Sequence, residues 1–210
     1  FSKHVPKEIL PKVNIVWNSI PSQLSKENKK FIYSAIKKGG RAKEFENAIQ
    51  WLIDAGLVYK VLRVSKIEKP LKFYEDFDAF KLFILDLGLL GAMVDVSAKD
   101  VLVNNTAFVE YKGTFTEQYV LQELITVKKN IYYYSKENSN LEIDFIIQKD
   151  EVYPIEVKAE ENLRSKSLKT VYELNQSLKP CRFSMADYRE QDWITNIPLY
   201  LAKEWVKNCE

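Results

Sequence analysis

Apolar residues in the first third of the chain recur at the three- and four-residue spacing of α-helices. Three segments show this spacing, and they are 8–18, 26–36 and Arg41–Ala55. Ser19–Ser25 interrupts the pattern between the first two segments, whereas glycines end the second and the third. The next segment, Leu57–Val64, is rich in β-branched residues and predicts a strand. Three helices and a strand in this order are typical of a winged helix-turn-helix, which we predict over residues 1–65.

The middle of the chain, residues 66–100, predicts a helical connector. Leu71–Tyr74 indicates a short strand after Pro70. The apolar run Phe80–Val94 is broken by Asp86 and by two glycines, which is too many interruptions for a membrane-spanning helix. We therefore expect a buried helix there that packs between the two ends of the chain.

The last part of the chain, residues 101–210, combines helical and strand periodicities and predicts an α/β domain. The predicted helices are Thr114–Lys128 and Ser165–Leu178. The predicted strands are Ile131–Tyr134, Leu141–Gln148, Glu151–Lys158, Arg182–Met185 and Ile197–Ala202. Lys112-Gly113-Thr114 lacks the upstream glycine of a phosphate-binding loop, so we interpret it as a turn.

The residue composition narrows the chemistry. The single histidine, His4, excludes ordinary Ser-His-Asp, Cys-His and multi-histidine metal sites. Cys181 and Cys209 form no C-x-x-C motif, so we expect neither a disulfide framework nor a zinc site, and a reducing cytoplasm is the expected location. No signal peptide and no membrane span is predicted. Any catalysis would therefore use carboxylates, lysine, hydroxyl groups or a hard metal ion.

The net charge of +2 hides an uneven distribution. Residues 1–65 hold 12 Lys and Arg against five Asp and Glu, whereas residues 101–210 hold 14 against 17. The basic first third suggests a polyanionic partner such as DNA, but a solvated lysine-rich surface or a protein-docking winged helix explains it equally well. The candidate DNA contacts are Lys37, Lys38, Arg41 and Lys43 in the first third and Arg164, Lys166 and Lys169 in the last part, where solvated charge is the simpler interpretation.

Two neighbouring predicted strands carry the candidate chemistry. Side chains alternate across a strand, which predicts one face made of Ile143, Phe145, Ile147, Tyr153, Ile155 and Val157. The opposite face collects Glu142, Asp144, Glu156 and Lys158. A hairpin loop of three residues, 149–151, would place Asp144 directly opposite Glu156. Two carboxylates at that spacing repel each other unless a cation lies between them.

A divalent cation such as Mg²⁺ suits this pair, because it binds one or two carboxylates, a backbone carbonyl and several waters. Asp144, Glu156 and the carbonyl of Val157 would hold the ion. Lys158 lies two residues beyond Glu156 and would orient the attacking water or stabilise charge on a phosphate. The set suits phosphodiester hydrolysis. The plainer alternatives are a solvent-facing strand surface and an ordinary ion pair made by Lys158.

Asp144 followed by Glu156-Val157-Lys158 resembles the signature of the PD-(D/E)XK nuclease superfamily. The resemblance implies a restriction-endonuclease-like α/β domain with a central mixed sheet over residues 101–210. In that superfamily a glutamate on the preceding helix often completes the metal site, and Glu117 matches it in position and order. Ile143 replaces the usual proline before the aspartate. A competing interpretation of Glu117 is a capping box with Thr114, in which Glu117 bonds back to the start of its helix.

A broader resemblance covers nearly the whole chain. The segments that carry it are Arg41–Val58, Phe80–Gly91, Glu142–Ile147 and Pro154–Ala159, which look like the C-terminal region of bacterial and archaeal AAA-type ATPases. The resemblance implies that an ATPase domain, which would bind ATP, precedes these residues and is a partner for them. The chain would then be a DNA-binding winged helix followed by a Mg²⁺-dependent nuclease domain. The alternative is a nuclease-like domain that only binds or regulates, and a homo-oligomer stays open.

Overall fold

The computed structural model describes residues 3–26, 29–96, 106–127, 130–160 and 164–208, with the backbone alone over 106–110. The chain divides into two compact units. Unit 1 comprises Phe1–Val61 and Ala79–Phe108, and unit 2 comprises Leu62–Asp78 and Val109–Glu210. Each unit is therefore made from two separate stretches of the sequence.

Unit 1 begins with a helix that is longer than the sequence predicts. Helix α1 spans Leu10–Leu24 and continues through the break predicted at Ser19–Ser25. The prediction was wrong because the buried face extends to Ile20 and Leu24, so packing holds the last turns in place although Pro21 lies inside the helix.

The second helix is much shorter than predicted. Helix α2 covers only Tyr33–Ile36, whereas the periodicity predicted a helix over 26–36, of which residues 27 and 28 lie outside the described residues. The backbone N–H of Phe31 donates to the carbonyl of Phe80, and that of Ile32 donates to Gln23 Oε1 at 2.6 Å. These partners are distant in sequence, and they hold residues 31 and 32 in an extended form instead of a helix.

The helix and strand that follow are as predicted, within one or two residues at each end. Helix α3 spans Ala42–Asp54 and buries one apolar face, and strand β1 spans Val58–Val64. Gly56 adopts a left-handed conformation with φ of 68° between them, which a glycine adopts without steric cost.

The predicted helical connector is mostly wrong. Leu71–Tyr74 forms a 3₁₀ turn instead of a strand. Glu75–Ile84 forms strand β2, whose second half, from Phe80 on, lies where the apolar run predicted a helix. A short apolar run fits a buried strand as well as a buried helix, and all of Ala79–Ile84 is buried in the sheet. Only Leu87–Met93 is helical; this is α4, and residues 97–100 lie outside the described part of the chain.

The described residues form one mixed sheet of eight strands, and the six strands after β2 lie in unit 2. They are β3 Tyr132–Ser135, β4 Glu142–Gln148, β5 Val152–Val157, β6 Cys181–Ser184, β7 Arg189–Glu190 and β8 Thr195–Pro198. Their order is β2-β1-β3-β4-β5-β6-β8-β7. Strands β5, β6 and β8 run parallel, whereas β4 is antiparallel to both of its neighbours. The predicted α/β class with a central mixed sheet is confirmed.

The helices of unit 2 differ from the predicted ones at their ends. They are α5 Thr106–Ile125, which belongs to unit 2 from Val109 on, α6 Lys166–Leu174 and α7 Ala202–Asn208. Helix α7 was not predicted. Because α5 begins at Thr106, the proposed turn at 112–114 and the capping box at Thr114 are both wrong: these residues lie inside the helix. Residues 128 and 161–163 lie outside the described ranges.

The core of unit 2 lies where α6 packs against the sheet. It consists of Val64, Leu71, Tyr132, Ile143, Ile146, Val152, Leu168, Val171, Leu178 and Ile194. Helix α6 supplies Leu168 and Val171 from its apolar face. Among the described residues, no helix is both long enough and apolar enough to cross a membrane.

Candidate active site

Strands β4 and β5 form the hairpin that the sequence predicts. Gln148 pairs with Val152, and Phe145 pairs with Ile155. The loop is therefore 149–151, closed by a bond from the Lys149 N–H to the Glu151 carbonyl. In this register Asp144 on β4 and Glu156 on β5 are the residues next to the pair of Phe145 and Ile155.

Asp144 lies at an irregularity in β4. On the β3 side, Tyr134 pairs with Ile143 and Tyr132 pairs with Ile146, so three steps along β4 match two along β3. This is the count of a β-bulge, which changes the direction of side chains locally. The simple alternation predicted for β4 is therefore wrong, since Ile143 and Ile146 belong to the same core cluster and Phe145 and Ile147 are also buried.

The carboxylate of Asp144 bonds to the next strand. Its Oδ2 accepts a hydrogen bond of 2.8 Å from the backbone N–H of Val157. This bond fixes the side chain toward the end of β5, one residue from both Glu156 and Lys158. The contact with Val157 is made through its amide, whereas the sequence pointed to its carbonyl as a metal ligand.

Glu156 and Lys158 form the charged centre of the site. Lys158 Nζ lies 2.8 Å from Glu156 Oε1, and Lys158 is partly exposed while Glu156 is only 9% exposed. The backbone N–H of Lys158 donates to the carbonyl of Phe183 on β6. The ion pair predicted as the plainer alternative is present.

Arg182 is a buried cation that sequence reasoning missed. It lies on β6 in register with Glu156 on β5 and is 1% exposed. Burial lowers the pKa of Arg182, while the negative charge of Glu156 acts in the opposite direction. Arginine keeps its charge in proteins, so Glu156 has a permanent positive neighbour. The sequence did contain a signal for this residue, because Arg182 lies between two apolar residues, Cys181 and Phe183, in a short predicted strand. A charged side chain in such a position needs a buried partner.

A hydrogen-bond network holds the Arg182 guanidinium. Its Nε donates to Asn196 Oδ1 at 3.0 Å, and its Nη1 donates to Ser165 Oγ at 2.9 Å. Asn196 Oδ1 also accepts from Ser184 Oγ, and Asn196 Nδ2 donates to the carbonyls of Ala186 and Asp187. The network fixes the side chain of Arg182, which lies beside Glu156 on the neighbouring strand. It also links β6 to β8 and to Ser165, the residue before α6.

Glu117 lies on α5 and is 7% exposed. Within the described part of the chain, no group of three or more His, Cys, Asp or Glu side chains is arranged as for a metal ion. The structure therefore does not show Glu117 as the third carboxylate of one cluster, whereas Asp144 bonds to the backbone between Glu156 and Lys158.

One atom tests whether the site fits a cation. Glu156 Oε2 is buried and has no hydrogen-bond partner among the described residues. A buried carboxylate oxygen normally accepts a bond, and a bound divalent ion would satisfy it. Asp144 and Glu156 are thus the residues that would hold Mg²⁺, with Asp144 Oδ2 already accepting the Val157 amide.

The candidate DNA contacts lie in both units and are exposed. Lys37, Lys38, Arg41 and Lys43 flank or begin α3, and Lys37 is 3.4 Å from Glu44. Arg164, Lys166 and Lys169 precede or begin α6, where Lys169 lies 3.9 Å from Glu173. Exposed ion pairs of this kind contribute little to stability, so these cations can exchange partners.

Unit 2 is thus an α/β unit with a mixed sheet. Two carboxylates and two cations lie near the end of β5, and they are Asp144, Glu156, Lys158 and Arg182. Residues 112–201 match the model of a domain of unknown function, DUF4143, which is often found in the C-terminal region of AAA-type ATPase-like proteins. Residues 1–100 match a second domain of unknown function, DUF8612. No curated protein and no solved structure matches the chain.

Proposed function

We propose that unit 2 is a Mg²⁺-dependent phosphodiesterase domain that cleaves DNA. Asp144 and Glu156 bind the ion, Lys158 acts on the phosphate, and Glu117 assists from α5. The same proposal makes the chain the C-terminal part of an AAA-type ATPase, with its own ATPase domain as a partner. The observation that carries the proposal is the buried, unbonded Glu156 Oε2 beside Lys158 and one residue from the amide that Asp144 binds.

Each residue has a separate task. The Asp144–Val157 bond keeps one carboxylate fixed against the end of β5. The ammonium of Lys158 has three N–H donors, and one of them is directed to Glu156. The others can bind a phosphate oxygen and stabilise the charge that develops there. When bound, Mg²⁺ would supply Lewis-acid stabilisation of the phosphate.

Catalysis is tested with purified protein and duplex, single-stranded and branched DNA in Mg²⁺ or Mn²⁺. We expect nicking that D144N, E156Q and K158M abolish, and metal binding, measured by Mn²⁺ electron paramagnetic resonance, that D144N and E156Q weaken but K158M retains. Glu142→Gln is the matched control, because Glu142 lies on the same strand two residues from Asp144. Cleavage that persists in D144N would contradict the assignment.

DNA binding is proposed for the exposed cations of unit 1, as in a winged helix. Gel shift at low salt should show binding that weakens when Lys37, Lys38 and Arg41 are reversed to Glu, with a shallower salt dependence. Reversal of exposed Lys12 on α1 is the control. No mobility change in the wild type, or equal loss in both variants, would favour protein docking for this unit.

A silent binding or regulatory module is the second candidate, and the buried Arg182 favours it. Arg182 already supplies a positive charge next to Glu156, so the carboxylate has a counter-charge without a metal ion. In this case Mn²⁺ does not bind and no DNA substrate is nicked. The two candidates therefore differ in metal binding as well as in cleavage.

A further inference from the structure

Unit 2 contains a cavity of about 410 Å³ at the start of β5. Helix α6, helix α7 and the segment around β7 contribute walls to it as well. Tyr153, the second residue of β5, lines the cavity, and Glu156 is the fifth residue of the same strand. Because side chains alternate along a strand, these two point to opposite faces of the sheet. Neither Asp144 nor Glu156 lines the cavity, which is therefore separate from the candidate active site.

Aromatic rings form much of the cavity wall. The rings are those of Tyr153, Tyr172, Tyr188, Trp193 and Trp205. Tyr153 meets Trp205 edge to face, with centroids 5.6 Å apart, and Tyr172 lies 6.0 Å from Trp193 at an angle of 36°. These ring pairs join different elements, so tertiary packing fixes the positions of the ring faces.

The charged residues of the lining are mostly acidic. Glu151, Glu190 and Asp192 contribute three carboxylates, and Lys179 contributes the one ammonium among the lining residues. Glu151 also forms an ion pair of 3.0 Å with Lys69, so Glu190 and Asp192 carry most of the attraction for a cation. The hydroxyl of Tyr188 donates to Glu190, and this bond raises the pKa of Tyr188. The phenol therefore stays protonated, and the negative charge at this side of the cavity belongs to Glu190.

We propose that this cavity binds an organic cation, an alkylammonium or quaternary ammonium group. Aromatic faces attract such cations through their π-electrons, and carboxylates at the opening add attraction at longer range. The volume is in the range of small-ligand sites and exceeds what a single water or metal ion needs. A small free cation and a lysine side chain of a protein segment share this chemistry. The inference does not depend on nuclease activity.

The test titrates the whole chain with choline and follows tryptophan fluorescence, since Trp193 and Trp205 line the cavity. The neutral isostere 3,3-dimethylbutanol has the same shape without the charge. We expect a saturable change with choline and at least tenfold weaker binding of the isostere. Equal affinity for both compounds would overturn the proposal, because it would show a merely apolar cavity.

Variants assign the response to the cavity. Asp192→Asn and Glu190→Gln should each weaken choline binding about two- to fivefold, as for exposed charges, and Lys179→Met should strengthen it. Glu46→Gln, in unit 1, is the charge control. Choline affinity that neither acidic substitution changes would also refute the proposal.

A second arm distinguishes the source of the cation. N-acetyl-lysine methylamide presents a lysine side chain without any other protein surface. If it binds as tightly as choline, a protein segment is the natural ligand source. If choline binds at least tenfold more tightly, the cavity is a site for a free quaternary cation. Failure of both probes would refute cation binding while leaving the proposed nuclease site untouched.

Discussion

Asp144 on β4 accepts a 2.8 Å hydrogen bond from the backbone N–H of Val157 on β5. The bond lies beyond Phe145 and Ile155, the last pair that β4 and β5 form at this end of the hairpin. A side chain thus connects the two strands beyond their last backbone pair. The same contact fixes one carboxylate of the candidate active site, so it serves the fold and the proposed chemistry together.

Asp144 variants should separate these two roles. In D144A the amide of Val157, a residue only 8% exposed, loses its acceptor, and we expect a loss of about 1–3 kcal/mol in the free energy of unfolding. D144N keeps an amide oxygen that can accept the bond, so it should lose less than half of that while it loses metal affinity. Urea denaturation measures the first effect and Mn²⁺ binding the second. Equal destabilisation by both variants would contradict the structural role of the bond.

Tyr132 should make the stability of unit 2 depend on alkaline pH. Its hydroxyl donates to Glu75 Oε1 at 2.6 Å, and burial together with this bond raises the pKa of Tyr132 above its ordinary value of 10.0. The stabilisation is therefore complete below pH 10 and declines as the pH rises beyond that value. Y132F should cost about 1–2 kcal/mol at pH 8.

The measurement compares wild type and Y132F by urea denaturation at pH 8 and at pH 11. The difference between the two proteins should shrink at pH 11, because the unfolded tyrosine of the wild type ionises there. Tyr200→Phe serves as the control, since Tyr200 is 74% exposed. A difference that is constant or grows with pH would refute the predicted linkage.

Asn196 should be among the costliest polar residues to truncate. It accepts from Arg182 and Ser184 and donates to two backbone carbonyls, all at a side chain that is fully buried. N196A leaves the guanidinium of Arg182 without one of its acceptors, and we expect a loss of about 3 kcal/mol. Thermal and urea unfolding measure the loss. The exposed Ser22→Ala should stay within about 0.5 kcal/mol, and a similar small value for N196A would contradict the importance of the network.

Two glycines should respond to alanine in opposite directions. A Cβ at Gly113, inside α5, meets nothing within 4 Å, so G113A should raise stability by about 0.5–1 kcal/mol through helix propensity. A Cβ at Gly40 would lie 2.8 Å from the carbonyl oxygen of Tyr33, so G40A should lower stability by about 1–3 kcal/mol. The midpoints of urea unfolding for the two variants should therefore move apart. Stabilisation by G40A would contradict the prediction, because it would show that the backbone near α2 moves to accommodate the methyl group without a cost.

The local spacing of apolar residues was sufficient to predict an element where that spacing fits only a helix or only a strand. Helix α3, strand β1 and the β4–β5 hairpin with its loop 149–151 were predicted from spacing and loop length. The pattern was insufficient for β2, since a run buried on all sides fits a strand or a helix. It was insufficient for α2 as well, where distant partners take the backbone N–H groups.

The sequence by itself determined the α/β class and the β4–β5 hairpin that carries Asp144 and Glu156, because residue type and loop length are local properties of the chain. Tertiary structure alone decided the bulge at Asp144, the placement of Arg182 behind Glu156, and the cavity walled by Tyr153 and Trp205. Each of these depends on residues far apart in the chain, and close packing of the sheet and helices is what brings them into contact.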